Sequence, residues 1–257
     1  MVKLTAKILI IDIETAPNIA YVWGAWKQNI GQKQWVSKSH ILSFAAKWLG
    51  DDNIIYEENR KKNDRKIVQS MFKLLDEADV VVAHYGKKFD LPTIIGRGVV
   101  HGLKPPSPYV VVDTKEVASR EFRMVSNSLA NLCEEFGLPL KSDHKKFPGF
   151  ELWLGVLRND EEAWKEMREY NIDDVISLEH LYLRLRPYVR NHPNIGTSDN
   201  GITTCPKCSS NTLHRRGFYK TRAGMVYQRF VCLDCGGWSR AVLSDKTVST
   251  NRMRNAT

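Results

Sequence analysis

Residues 7–15, Lys7-Ile8-Leu9-Ile10-Ile11-Asp12-Ile13-Glu14-Thr15, constrain the chain more than any other stretch. Four aliphatic residues run together, and two carboxylates follow at alternate positions. An apolar run of this length reads as a strand covered on both faces, the state of a central strand in an α/β sheet. Successive side chains alternate sides, so Asp12 and Glu14 project from one face, ~7 Å apart along the strand. Two anions that close at a buried strand end repel each other and resist desolvation unless cations neutralise them. Oxygen ligands in this arrangement suit a divalent ion of the magnesium or manganese type. The alternative is a strand that simply ends in an acidic turn.

With 257 residues and 42% hydrophobic content, the chain can bury one full core and carry a small second module. No apolar run approaches the ~18 residues needed to span a bilayer, and no secretory leader precedes the first strand. The expectation is a soluble, cytoplasmic protein with no membrane partner. Residues 197–257 hold ten Lys/Arg against three acids, a net +7 that leaves +2 for residues 1–196. A basic tail on a nearly neutral body points to a polyanionic partner, most often nucleic acid.

After the first strand, Ile19 to Trp26 and Gln34 to Trp48 are rich in β-branched and aromatic residues, and read as two or three strands forming a meander with it. Asn53 to Tyr56 is a short strand. Helical spacing predicts a helix from Asp64, as N-cap, to Ala78. Asp79 to Ala83 is a second buried strand with a helix, Leu91 to Val100, behind it. A third apolar run, Tyr109 to Val112, ends in Asp113. Helices follow at Ser128 to Phe136, Phe150 to Leu157 and Asp160 to Leu185, with a charged loop at Lys141 to Gly149. Strands alternating with helices after an initial run of strands indicate an α/β domain with a mixed sheet. A polar, turn-rich stretch makes 191–201 a linker between a domain at 1–190 and a module at 202–257.

Two further acidic positions accompany the first strand. Lys88-Phe89-Asp90-Leu91-Pro92 begins a helix just after the second strand, a location where α/β proteins bind ligands; the alternative for Asp90 is a plain N-cap. In the long helix, Tyr170 and Asp174 stand four apart and share one face, either addressing one point or decorating the surface. Lys87 and Lys88, beside Asp90, are candidates for a backbone phosphate contact. Asp113 reads as a cap or supporting acid, and His84, His101 and His144 as structural or surface groups. Trp23, Trp26, Trp35 and Trp48 read first as core, with Trp23 or Trp26 as the alternative stacking platform for a base.

Asp12-Ile13-Glu14-Thr15, Lys88-Phe89-Asp90-Leu91-Pro92 and Tyr170-x-x-x-Asp174 together resemble the three motifs of the DEDD superfamily of 3′–5′ exonucleases, DnaQ-like proteins with a ribonuclease-H-like fold. The likeness spans roughly residues 7–187. A tyrosine rather than a histidine in the third motif makes it the DEDDy form, most similar to the proofreading exonuclease domain of family B DNA polymerases. Relatives often carry asparagine five residues before the second-motif aspartate, where this chain has Tyr85. The resemblance implies two Mg2+ or Mn2+ ions held by Asp12, Glu14, Asp90 and Asp174, with Asp12 bridging. It also implies that Glu14 and Tyr170 orient the attacking water. Catalytic residues would then be Asp12, Glu14, Asp90, Tyr170 and Asp174.

Cys205-Pro206-Lys207-Cys208 and Cys232-Leu233-Asp234-Cys235 are two knuckles separated by 23 residues. Between them, Arg215 to Val231 reads as two strands turning at Ala223-Gly224. Four thiolates in this layout make a zinc ribbon with one structural Zn2+. Cys133, inside an apolar stripe, is a buried core thiol. Arg215, Arg216, Lys220, Arg222 and Arg229, interleaved with aromatics, suit a nucleic-acid grip; docking of a replication or repair protein is the competing role.

The sequence therefore predicts a ribonuclease-H-like α/β domain with a C-terminal zinc ribbon. It is expected to act as a stand-alone 3′–5′ exonuclease on single-stranded DNA 3′ ends, of a kind that would suit a phage or mobile-element replication system. The rivals are a structure-selective endonuclease or RNA exonuclease on the same scaffold, and a non-catalytic nucleic-acid-binding protein.

Overall fold

A computed structural model describes residues 6–139, 146–196, 204–244, 247–248 and 254–255. Strand β1 (Ile8–Thr15) lies at the centre of a five-stranded sheet. After it come the two-residue β2 (Ile19–Ala20), β3 (Trp35–Ser37), β4 (Ile41–Trp48) and β5 (Ile55–Glu58). Helix α1 (Arg65–Glu77), β6 (Val80–Ala83), α2 (Asp90–Val100), β7 (Val110–Asp113) and α3 (Thr114–Glu121) complete the crossovers. The sheet order is β5-β4-β1-β6-β7. Strand β4 is antiparallel to β1 and to β5, whereas β6 is parallel to both β1 and β7. Helices α4 (Leu129–Glu135), α5 (Glu151–Leu157) and the 25-residue α6 (Glu161–Leu185) follow. The expected mixed α/β fold is present.

The period-two pattern of β1 decides which face each residue serves. Ile8 and Ile10 join a core with Val175, Leu178, Leu181 and Tyr182 of α6. Leu9, Ile11 and Ile13 join a second core with Ile67, Met71 and Leu75 of α1 and Ile94 of α2. Burying such a side chain contributes ~1.5–3 kcal/mol, so sliding β1 by one residue is prohibitive. The same alternation turns Asp12 and Glu14 to the α6 side. The ladder with β4 shifts register between Glu14 and Thr15, an irregularity of the kind that re-aims side chains next to functional sites.

Several expectations need correction. Of the strands expected in the meander, β4 alone joins the central sheet; β2 and β3 pair with each other, and Tyr21 to Gly31 form no strand. That segment has no layer to pack on, so Trp23 is 100% and Trp26 86% exposed rather than core. Asp64 stands at the N-cap position of α1, as expected, but its side chain makes no capping bond. Its buried carboxylate accepts from the Ile41 backbone (3.0 Å), Arg97 (2.6 and 2.7 Å) and His101 (2.6 Å), which tie α2 to β4. Asp113, by contrast, is a cap, accepting from Lys115 N and Glu116 N. Helix α3 is an element that the sequence pattern does not announce. Residues 140–145 of the charged loop, His144 among them, lie outside the described residues, as do 197–203 of the linker and module start. Residues on either side of the linker gap are joined, with Ile195 N donating to Pro206 O at 2.9 Å and Ser209 Oγ to Ile195 O at 2.6 Å.

The C-terminal part has the expected hairpin, β8 (Leu213–Lys220) and β9 (Val226–Cys232), turning at Gly224 with φ +83°. A third strand, β10 (Trp238–Ser244), pairs with β9. The Cys205–Cys235 and Cys208–Cys232 sulfurs are 3.7 and 3.6 Å apart, and all four lie within 4.8 Å of one another. Zn–S bonds of ~2.3 Å at tetrahedral angles require sulfurs ~3.8 Å apart. The cluster fits a zinc ribbon. Cys133 is buried, as expected.

Candidate active site

Two elements meet at the C-terminal end of β1. Asp12 and Glu14 come from the strand face that looks at α6, and Asp174 comes from α6 itself. One carboxylate oxygen from each lies within 4.8 Å of the other two. Asp174 is buried and Asp12 half-buried, so their charges are poorly screened by water. A set of three carboxylates offers only hard oxygen donors, the chemistry that divalent magnesium or manganese takes.

Asp90 opens α2 without capping it. Its Oδ1 accepts from the Ile13 backbone N–H at 3.2 Å, between the two strand carboxylates. The N-cap alternative fails, yet Asp90 stands at the edge of the cluster rather than within its 4.8 Å circle. Burial, and then the Asp113 and Asp174 charges, push its carboxyl up to about 7 against the lowering effect of the Ile13 bond. A carboxylate so placed binds a proton near neutrality unless a cation takes the proton's place.

Tyr170, one turn before Asp174 on α6, packs edge-on against Trp153, with ring centroids 6.0 Å apart. Burial and the Asp174, Glu14 and Asp12 charges raise its hydroxyl far above the usual tyrosine value. Beside these carboxylates the hydroxyl keeps its proton and can donate a hydrogen bond.

Asn171 lies between Tyr170 and Asp174, at a position to which the motif assigns no role. It is fully buried, and its Nδ2 donates to Asp12 Oδ2 at 2.8 Å and to Asp12 O at 3.3 Å, while its Oδ1 accepts from Ser43 Oγ at 3.1 Å. The spacing alone held a signal: Asn171 and Asp174 are three apart, so the two stand side by side on α6.

Lys87 and Lys88 are exposed, but Lys87 Nζ is paired with Glu116 at 2.6 Å and Lys88 lies over the Tyr85 ring. Tyr85 has φ +68°, a left-handed conformation that asparagine tolerates better than an aromatic residue. Its N–H donates to Asp113 Oδ1 at 3.0 Å. Of the ribbon cations expected to form a grip, Arg215, Arg216, Lys220 and Arg222 are exposed and Arg229 is half-buried.

A family model for the RNase_H superfamily matches residues 9–186, from the first residues of β1 to the end of α6. The chain belongs to the RNase_H superfamily. Members of this superfamily are in general nucleases that use divalent metals. At that level, this RNase_H-like chain is a nucleic-acid-processing nuclease and therefore binds nucleic acid. Its fold is similar to that of the family B DNA polymerase from the hyperthermophilic archaeon Pyrobaculum calidifontis. The TM-score is 0.52 at 19% identity, over 71% of this chain and 25% of the polymerase. The chain thus spans about a quarter of the polymerase's length. No curated protein matches the chain. Among the described residues, no helix is long and apolar enough to cross a membrane.

Proposed function

We propose that this RNase_H-like chain is a 3′–5′ exonuclease that removes nucleotides from single-stranded DNA, with Mg2+ or Mn2+ held by Asp12, Glu14, Asp174 and Asp90. The observation that carries the proposal is the approach of the Asp12, Glu14 and Asp174 oxygens to within 4.8 Å of one another. Divalent ions bound there would supply an activated water and charge stabilisation for the leaving 3′ oxygen. The protein's part is positional. Asn171 fixes the Asp12 carboxylate through the 2.8 Å bond, and Asp90 adds a second negative oxygen site beside Ile13. The Tyr170 hydroxyl, kept protonated, donates a hydrogen bond to the water or the phosphate instead of removing a proton.

Support for a single-stranded substrate comes from the segment that leaves β1 just past Glu14. Trp23 and Trp26 are exposed there. Residues 16–40 include Lys27, Lys33 and Lys38 and no acid. Flat rings and cations without competing carboxylates suit unpaired bases and their phosphates.

A time course with a 5′-labelled oligonucleotide, as DNA and as RNA, with and without magnesium, tests the reading. A magnesium-dependent ladder shortening from the 3′ end on DNA is expected, with Asp12→Ala and Asp174→Ala inert but folded. One internal cut would make the chain an endonuclease, and wild-type rates from the purified variants would refute the site.

A further inference from the structure

The seam between the nuclease fold and the ribbon holds a cavity of about 320 Å³. Its walls come from the chain just beyond α6 (Tyr188, Arg190), from the first knuckle (Lys207) and from the inner ribbon strands (Arg229, Trp238, Arg240). Four cations and three exposed rings, Tyr219 being the third, thus line one hollow, and no carboxylate is among its described lining residues. Tyr188 is 55% and Trp238 42% exposed.

The arginines are prepared in a particular way. Arg229 stacks over Trp238 at 5.8 Å, and Arg240 over Tyr227 at 4.9 Å and Tyr219 at 5.5 Å. Stacking engages the flat face of a guanidinium and leaves its edge donors for an acceptor. The Nε atoms of both Arg229 and Arg240 are buried without a hydrogen-bond partner among the described residues. Buried donors of a cation are costly to leave unpaired. Lys207 Nζ donates to Pro187 O at 2.5 Å, and Arg190 pairs with Glu121 at 3.0 Å. Those two bonds fix the wall and leave the Arg229 and Arg240 edges as the unmet groups.

We infer that this seam cavity binds a nucleotide unit of the nucleic-acid strand, its phosphate on the Arg229 and Arg240 edges and its base against Trp238 or Tyr188. A strand suits it better than a free nucleotide because the cationic surface continues along β8, where Arg215, Arg216 and Lys220 are exposed. The unit held is not the one being cleaved. Eleven residues of α6 separate Asp174 from Leu185, roughly 17 Å along the helix axis, and the cavity begins beyond that end. The inference rests on the nuclease reading for its substrate, but its test does not need cleavage.

The test is binding of a labelled single-stranded oligonucleotide to the full chain by fluorescence anisotropy, without added magnesium or manganese and with zinc retained. Arg229→Gln/Arg240→Gln should weaken affinity tenfold or more and lower the salt slope by about 0.7 for each phosphate no longer neutralised. Trp238→Ala should weaken it at least fivefold. Arg190→Gln lies outside the ribbon, cannot disturb the zinc knuckles, and should also weaken binding, so a folding defect in the first variant does not shelter the idea. Hydrolysis of a dinucleotide, too short to reach the seam, should be unchanged in every variant. Wild-type affinity in the double variant and in Arg190→Gln would overturn the inference. So would cavity-dependent binding of a mononucleotide with no effect on the oligonucleotide.

Discussion

Replacing Asn171 by alanine removes one buried amide and takes a hydrogen bond from two partners at once. The Asp12 carboxylate loses its 2.8 Å donor, and Ser43 Oγ loses its 3.1 Å acceptor, in a spot with no solvent access. A hydrogen bond to a charged group contributes ~1.5–3 kcal/mol, and a neutral one ~0.5–1.5 kcal/mol. A combined loss of about 3 kcal/mol would lower Tm by roughly 6–12 °C for a domain of this size. The diagnostic effect is on metal. A side chain that orients a metal ligand typically changes affinity or activity by ~10–100-fold. The half-saturating magnesium or manganese concentration should rise by that factor in calorimetry and in hydrolysis, while the rate at saturating metal largely recovers. A purely structural asparagine would lower Tm and leave the metal midpoint alone. An unchanged midpoint in a folded variant would therefore refute the positioning argument.

Other perturbations separate the remaining parts of the account. Burial holds His84 and His192 down to about 4, so both are neutral in the native state while unfolded histidine titrates near 6.5. Their stabilisation is present above ~6.5 and lost as pH falls toward 4, by up to ~3 kcal/mol each. Denaturant midpoints should thus fall steeply across that window, and a flat profile would contradict the burial of these rings. Trp23→Ala/Trp26→Ala touches no core, so Tm should hold while affinity for single-stranded oligonucleotide drops at least fivefold; unchanged affinity would leave the exposed arm without that role. Cys208→Ser should take the zinc content from one ion per chain to near zero and unfold the ribbon, since such modules fold on their metal. Full zinc retention would contradict a four-thiolate site.

The parts legible in the sequence are those whose signal is local. The aliphatic run of β1 and the alternation of Asp12 and Glu14 encode both the central strand and the facing of the acids. Four-residue spacing brings Tyr170 and Asp174 to one face, and the paired cysteines announce their cluster. The parts missed depend on distance or on exposure. Aromatic enrichment at 19–26 signals strand whether or not a layer exists to cover it, and here none does. Asp64 looks like a cap because the cap signal is local, whereas its partners Arg97 and His101 stand 33 and 37 residues away. Asn171 acquires its role only through a contact with Asp12, 159 residues earlier. The seam cavity joins residues from 187 to 240, and no window of sequence contains it.

Anomalous diffraction from crystals grown with manganese tests the central claim most directly. Density is expected within bonding distance of the Asp12, Glu14 and Asp174 oxygens, and absent from the same position in Asp12→Ala. Wild-type crystals with ordered carboxylates and no manganese between them would contradict the account.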